Sequence, residues 1–379
     1  MKISLIGPVY PFRGGIPRVT GLLVQHLERE GHQVQVLSFR RLFPRWLYPG
    51  QSDRDPSQHT PLPQARYILD SLWPGSWGQA VHLIQQFQPD VVICTWWTTF
   101  LAPLYWWVGS RLRREKTRVG FMIHNVIPHE ARFYDRFLAR QALGRGEAYL
   151  VFSEREKARL QQLISLPSQL IFTTPLPVFS PEQSLISKET ARTRLGLPDN
   201  APVLLFFGLV RPYKGLHSLI EALSILSHKG LHPILLVAGE IWGDPLEYHT
   251  QVRQLNLADQ VRFYNRYIPD EETPLFFGAA DLFIAPYLGG TQSASIRLAM
   301  GHHTPVLASD QIAGDLPAAI PTFPAGDAQA LASQIEQCLK QPPGVTDQYI
   351  PADWANLSMF LDQMTAAPKP TPVARTEPR

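Results

Sequence analysis

At 379 residues, with 45% hydrophobic and 18% charged side chains, the chain is long enough for two domains with substantial cores and is neither disordered nor fibrous. Its net charge of +3 conceals an asymmetry: residues 1–180 carry 21 Lys and Arg against 12 Asp and Glu, whereas 181–379 carry 14 against 20. The first half therefore suits an anionic surface or a phosphorylated substrate, and no basic run is dense enough for nucleic acid.

The N-terminal MKISLIGPVYPF is poor as a signal peptide and good as a first buried strand. Apolar runs at 3–6, 34–39, 91–94, 119–123 and 149–152 then alternate with helix-length segments, the pattern of a parallel sheet with crossover helices. In IPRVTGLLVQHLEREG (16–31), Ile16, Val19, Leu23 and Leu27 recur at helical spacing and Gly31 supplies the stop. The Pro-, Arg- and Trp-rich stretch 40–66 has no periodicity and reads as a loop excursion. The longest apolar run, WWTTFLAPLYWWVG (96–109), is shorter than the roughly 20 residues a membrane crossing needs. Cys94 and Cys338 lack metal-ligand spacing, which excludes a disulfide framework and a structural zinc site and fits a reducing compartment.

Prolines break the pattern at TPLPVFSPEQSL (174–185), and strand-like runs resume at 203–208, 234–239, 261–264, 281–286 and 305–308. This predicts two α/β domains, 1–177 and 178–345. A helix near the C-terminus (346–365), with Trp354, Leu357, Phe360 and Leu361 on one face, is expected to pack back toward the first domain, and a disordered Pro-rich tail (366–379) follows.

Open α/β sheets bind ligands at the carboxyl ends of their strands, so chemistry is sought just after the predicted strands. Four segments qualify. GPVYPFRGGIP (7–17) sets Gly14 and Gly15 before a helix, either as a site of close backbone approach or as a flexible connection. In GLVRPYKGL (208–216), Gly208 ends a strand and Arg211 and Lys214 precede a helix. They form a diphosphate cradle or a solvated pair. In PYLGGTQSASIRLAMG (286–301), Gly290 loosens a loop, and Thr291 or Ser293 caps a helix whose amides face a ligand or simply a core. HNVIPHE (124–130) presents His124 after a strand, as a site residue or a structural one.

In combination and in this order, the GG loop, HNVIPHE, FGLVRPYKGL, AADLFIAPY, AMGHHTPVLAS and the late Trp-led helix resemble the retaining glycosyltransferases of family 4 (glycosyl transferases group 1), up to about Met364. The resemblance implies the α/β GT-B fold, two doubly wound Rossmann-like domains facing a cleft. It implies a nucleotide-diphosphate sugar donor on the C-terminal domain and a glycan or lipid-linked acceptor hydroxyl on the N-terminal one, in cell-surface polysaccharide or glycolipid synthesis. Arg211 and Lys214 match the family's diphosphate-binding cations, Gly15 its N-terminal phosphate loop, and His124 the histidine near the transferred sugar. Tyr267 and Ile268 fall in the segment meeting the nucleobase, and Thr291, Gln292 and Ser293 in the loop around sugar and β-phosphate. The sequence departs from the family's E-x7-E signature, reading Gly290 and Leu298 at those positions.

No cofactor and no metal are expected. Asp53-Arg54-Asp55 spells DxD but lies in the excursion with no strand before it, so its charges read as solvated. Two other readings stay open: a sugar-nucleotide epimerase on this fold, with Glu130 its only evident carboxylate, and a catalytically silent nucleotide-sugar-binding protein. The first half's basicity, FRRLFPRWLYPG (39–50) and the aromatic run at 96–107 suggest peripheral contact with an anionic membrane, on the inner face of the cytoplasmic membrane, or else a loop and a buried helix.

Overall fold

Residues 1–48, 50–128, 131–165, 167–181, 185–344 and 354–366 are described by the computed structural model. In chain order the strands are β1 Lys2–Ile6, β2 Gln33–Arg41, β3 Ala65–Asp70, β4 Val91–Trp96, β5 Val119–Ile123, β6 Ala148–Val151, β7 Ile171–Thr173, β8 Val203–Phe207, β9 Ile234–Ala238, β10 Val261–Tyr264, β11 Leu282–Ala285, β12 Val306–Ser309 and β13 Thr322–Phe323. The helices are α1 Gly15–Arg29, α2 Pro74–Phe87, α3 Ala102–Arg114, α4 Asp135–Leu143, α5 Glu154–Leu163, α6 Lys188–Leu195, α7 Leu216–His228, α8 Pro245–Gln254, α9 Thr273–Ala279, α10 Ala294–Gly301, α11 Ala328–Lys340 and α12 Leu357–Ala366. They divide between two units. One holds Met1–Asp55, His59–Pro175 and, among the described residues, 354–366; the other holds Pro56–Gln58 and 176–344.

The first unit is built on a parallel sheet ordered β3-β2-β1-β4-β5-β6-β7, the second on a parallel sheet ordered β10-β9-β8-β11-β12-β13. Both are doubly wound α/β sheets, as expected from the sequence. Strands β4, β5, β8 and β9 are buried at every residue, which is why they read as unbroken apolar runs: helices cover both faces. The winding reverses between β1 and β4 in one sheet and between β8 and β11 in the other. The loops after those four strands therefore flank the switch points at which open sheets bind ligands.

In α1 the predicted stripe faces the core, with Val19, Leu23 and Leu27 buried and Ile16 half-buried, and the chain leaves through Gly31 at φ +79°. The aromatic run 96–109 is split. Trp96 ends β4, and α3 buries Leu104, Tyr105, Val108 and Leu112, leaving Trp106 exposed. The excursion is shorter than the 40–66 expected, since β2 extends to Arg41 and β3 starts at Ala65. β3 was not anticipated because only its last two residues are fully buried.

In the first unit, the C-terminal residues close over β5, β6 and β7. The Phe360 ring occupies the space a side chain at Gly120 would need, 2.6 Å from its Cβ position; Asn356, just before α12, donates to the Thr173 carbonyl, and Arg118 donates to the Met364 carbonyl of α12. Leu357, Phe360 and Leu361 of α12 are buried as expected; Trp354 is buried too, but it stands before the helix at φ +47° and not on its face, because the helix starts only at Leu357. The expected helix residues 346–353 and the tail 367–379 lie outside the described residues; Ala366 is still helical.

Candidate active site

In the second unit, β8 hands the chain to Gly208 at φ +98°, where a Cβ would stand 2.6 Å from Ser295 Oγ and 3.6 Å from Lys214 Nζ. Only glycine leaves that space open, and it is lined by an ammonium and a hydroxyl. Residues Pro212–Lys214 then form a single 3₁₀ turn, and Gly215 at φ +70° starts α7. A Cβ on Gly215 would lie 1.9 Å from the Pro286 carbonyl oxygen, and the Leu288 amide donates to the Tyr213 carbonyl at 2.8 Å. The loops after β8 and β11 are thus locked to each other.

The two cations differ. Lys214 is 8% exposed, and among the described residues its ammonium has no hydrogen bond or ion pair; it lies over the face of Tyr287, 5.3 Å from the ring centroid. Burial pulls its pKa below the ordinary lysine value, partly offset by Tyr213, and Arg211 pulls the same way as burial. Arg211 is half-buried, its guanidinium 5.3 Å from the Trp242 ring centroid.

The loop after β11 is pinned by side chains. The Tyr287 and Ser293 hydroxyls meet at 3.0 Å, Ser293 Oγ accepts the Ile296 amide at 3.2 Å to cap α10, and Ser309 Oγ donates to the Tyr287 carbonyl at 2.6 Å. Gly290, at φ +126°, turns the loop. Thr291 Oγ1 and Gln292 Nε2 are shielded from solvent without a hydrogen-bond partner among the described residues. An orphaned buried polar group costs about 1–3 kcal/mol, so two in succession need an account. Leu298, the second departure from the glutamate signature, is a buried apolar residue of α10. Tyr267 and Ile268 follow β10 at the same carboxyl edge of the sheet; Ile268 is buried, and Arg266, paired with Glu272 at 3.0 Å, donates to the Tyr267 carbonyl at 3.3 Å.

In the first unit, Gly14 at φ +101° precedes α1, with no atom within 4 Å of where its Cβ would be, and no side chain caps the helix. The first α1 amides, starting at Gly15, therefore lack a side-chain cap. Asp53-Arg54-Asp55 braces this loop: Arg54 bridges Phe12 and lays its guanidinium 4.1 Å from that ring's centroid, Arg13 donates to the Asp53 carbonyl at 3.1 Å, and the Asp55 amide donates to Pro11 at 2.8 Å. Arg54 also pairs with Asp53 at 3.6 Å, so these two charges are engaged with each other at the loop.

His124 ends β5 with its amide on the Trp96 carbonyl at 2.8 Å and its ring 4.8 Å from Phe152. Its Nε2 is shielded without a partner among the described residues, and burial pushes its pKa down to about 3, so the imidazole is neutral at physiological pH. Buried Glu156 accepts the Val126 amide at 2.6 Å and holds the loop after His124. His129 and Glu130 lie outside the described residues.

Several residues here escaped the sequence reasoning. Tyr287, Ser295 and Trp242 surround the two cations. Thr95, whose Oγ1 is shielded and unpartnered among the described residues, faces Gly7 so closely that a Cβ there would lie 2.5 Å from it. The usable signal was position alone: Thr95, Tyr287 and Trp242 sit at or shortly after a strand's carboxyl end, and Ser295 lies in the first turn of α10.

Two family descriptions match the chain in succession, Glycosyltransferase Family 4 over residues 13–178 and Glycosyl transferases group 1 over 201–341. A D-inositol 3-phosphate glycosyltransferase of Corynebacterium aurimucosum is 25% identical over 237 residues, covering 58% of this chain and 55% of the relative, so the match spans about half of that protein. Among solved structures, a sucrose-phosphate synthase of Thermosynechococcus elongatus superposes with TM-score 0.70 at 19% identity, over 97% of this chain and 98% of that one. Anabaena HepE in complex with UDP-glucose superposes with TM-score 0.68 at 17% identity, over 97% and 94%. With both family descriptions in register with the two Rossmann-like units, the chain belongs to the family 4 glycosyltransferases of GT-B fold.

Proposed function

We propose that the protein is a retaining, metal-independent glycosyltransferase that moves a sugar from a nucleotide-diphosphate sugar to an acceptor hydroxyl in cell-surface polysaccharide or glycolipid synthesis. The observation that carries this reading is Lys214, a buried ammonium with no counter-ion among the described residues beside a glycine that leaves room for a ligand. A charge held in that way carries a desolvation cost that a bound anion would offset. Lys214, Arg211 and the α10 amides behind Thr291, Gln292 and Ser293 bind the diphosphate, while Gly208, Gly290, Tyr267 and Ile268 shape the space for sugar and base. HepE was captured with UDP-glucose, which supports a nucleotide-sugar donor for this fold.

In the reaction, the bond between the sugar's anomeric carbon and the β-phosphate oxygen breaks and the acceptor oxygen bonds to that carbon from the same face. The acceptor proton passes to a β-phosphate oxygen, and the nucleoside diphosphate leaves. Charge develops on the departing phosphate, where preorganised cations and amides act most strongly. They supply the positive charge that a divalent ion supplies elsewhere. His124, neutral, hydrogen-bonds the sugar or acceptor and takes no part in proton transfer, and Gly14 and Gly15, with the amides at the start of α1, form the phosphate-binding loop.

No helix among the described residues is long and apolar enough to cross a membrane. We place the protein in the cytoplasm, peripheral to the inner membrane face, with a lipid-linked acceptor; two free, buried cysteines and the basic first half support this. Incubation with a panel of nucleotide sugars, with and without acceptor, tests the reading. Acceptor-dependent release of nucleoside diphosphate, with the anomeric configuration kept, is expected. Binding without release would leave a silent nucleotide-sugar-binding protein, and epimerised donor an epimerase.

A further inference from the structure

Large apolar side chains are unevenly exposed. In the second unit only Leu185, Leu246 and Leu288 are in this class among the described residues, whereas the first unit exposes aromatic rings. The densest group lies in the turn before α4 and on that helix: Phe133 is 95% exposed, Phe137 64% and Tyr134 37%. Helix α4 packs Ala139, Ala142 and Leu143 inward, so Arg136, Phe137 and Arg140 make up its outer face. Arg132 is exposed just before it and donates to the Tyr134 hydroxyl at 2.9 Å.

Among the described residues, the exposed charge on this face has one sign. Residues 131–146 contain four arginines and a single acid, Asp135, which is buried and accepts the Thr99 hydroxyl and, at 2.6 Å, the Arg132 amide. The arginines Arg132, Arg136 and Arg140 thus stand among the rings with no exposed carboxylate in the segment to neutralise them.

Exposed rings cost free energy in water, and they sit where guanidinium groups can reach phosphates while the rings enter the layer just beneath. An anionic lipid bilayer meets both needs at once. A short helix lying in the interface offers a few rings and point charges and binds reversibly, its electrostatic part weakening as the Debye length shrinks with salt. An acidic protein partner would match the arginines but would leave two protruding phenylalanines without a stated pocket.

We infer that the turn at Arg132–Tyr134 and the outer face of α4 form a docking surface for anionic phospholipid, the rings of Phe133 and Phe137 entering the headgroup layer between Arg132, Arg136 and Arg140. This gives the peripheral location proposed above a specific surface, different from the 39–50 and 96–107 segments. It rests on that location, but it is read by binding alone, so its failure is distinguishable from failure of sugar transfer.

The experiment is flotation of the full chain with vesicles of phosphatidylglycerol and phosphatidylethanolamine, against phosphatidylcholine alone, at low and high salt. The unmodified protein should bind the anionic vesicles, and binding should fall at least tenfold on phosphatidylcholine or in 1 M salt. Phe133→Ser with Phe137→Ser, and separately Arg132→Gln with Arg136→Gln and Arg140→Gln, should each reduce binding at least tenfold. Nucleoside diphosphate release with a water-soluble acceptor should stay unchanged, which also shows that the variants fold. Trp46→Ser with Leu47→Ser, on another exposed patch of the unit, should bind as the unmodified protein does. Absence of binding to anionic vesicles, retention of binding in both α4 variants, or loss confined to the Trp46 and Leu47 variant would overturn the assignment. Self-association that the two Phe substitutions abolish, without vesicle binding, would overturn it in favour of a second copy of the chain.

Discussion

Replacing Lys214 with methionine keeps the length of the side chain and removes its charge. In the unliganded protein that charge is buried with no counter-ion among the described residues, so its loss relieves a desolvation penalty and breaks no ion pair. The variant should therefore melt at the same temperature or higher. With nucleoside diphosphate present it lacks a charge-assisted hydrogen bond of about 1.5–3 kcal/mol, a weakening of about 10- to 150-fold in Kd. Calorimetric titration with nucleoside diphosphates, run beside thermal unfolding, reads both quantities. pH adds a second check. Because burial lowers the lysine's pKa in the folded state, the unfolded chain holds the extra proton between that pKa and the ordinary value, and the unmodified protein gains stability as pH rises through this window. Lys214→Met should lose that rise. An unchanged Kd, or a lowered melting temperature with binding intact, would refute the argument that this lysine is held for an anion.

Gln292→Ala, with Thr291 and Ser293 intact, should lower kcat/KM about five- to tenfold by removing one neutral hydrogen bond, and should loosen discrimination between donors; steady-state kinetics over a donor panel checks both. His124 has a folded pKa of about 3, below the unfolded 6.5, so the unfolded chain protonates first and stability declines as pH falls from about 6.5 toward 3. Denaturant titrations should show a shallower decline in His124→Asn, whose transfer rate should drop with no change in the shape of the pH profile between about pH 5 and 8. Gly215→Ala, which sets a Cβ 1.9 Å from a backbone oxygen at φ +70°, should destabilise the fold by several times the roughly 1 kcal/mol of an ordinary substitution, measurable by chemical denaturation. Transfer should survive EDTA; collapse with rescue by Mn²⁺ or Mg²⁺ would reverse the metal-independent mechanism.

The sheets were legible because helices bury both their faces, so β1, β2, β4, β5, β6, β8, β9, β11 and β12 announce themselves as apolar runs, whereas β10 is buried only at Val261. β7 and β13, at three and two residues, are too short to carry a pattern, and β3 is only partly covered. At the candidate site, sequence placed Arg211 and Lys214 together as equivalents. The structure separates them, one beside an indole and the other buried over Tyr287, because a 3₁₀ turn and the Gly215 contact with Pro286 rotate Lys214 inward. That rotation depends on a loop more than 70 residues away, which no local spacing encodes. The DxD triplet shows the converse: chemistry-bearing residues whose backbone and cation are engaged with Phe12, Arg13 and Pro11.

The central claim is that the space beside Gly208 and Lys214 receives a diphosphate. Crystals of the protein soaked with a nucleotide-diphosphate sugar test it most directly. The account predicts density for the pyrophosphate within hydrogen-bonding distance of Lys214 Nζ, with Arg211 and the amides at the start of α10 on its other oxygens. Density for the nucleotide at any other place on the second unit, with the space beside Gly208 filled by water, would contradict it.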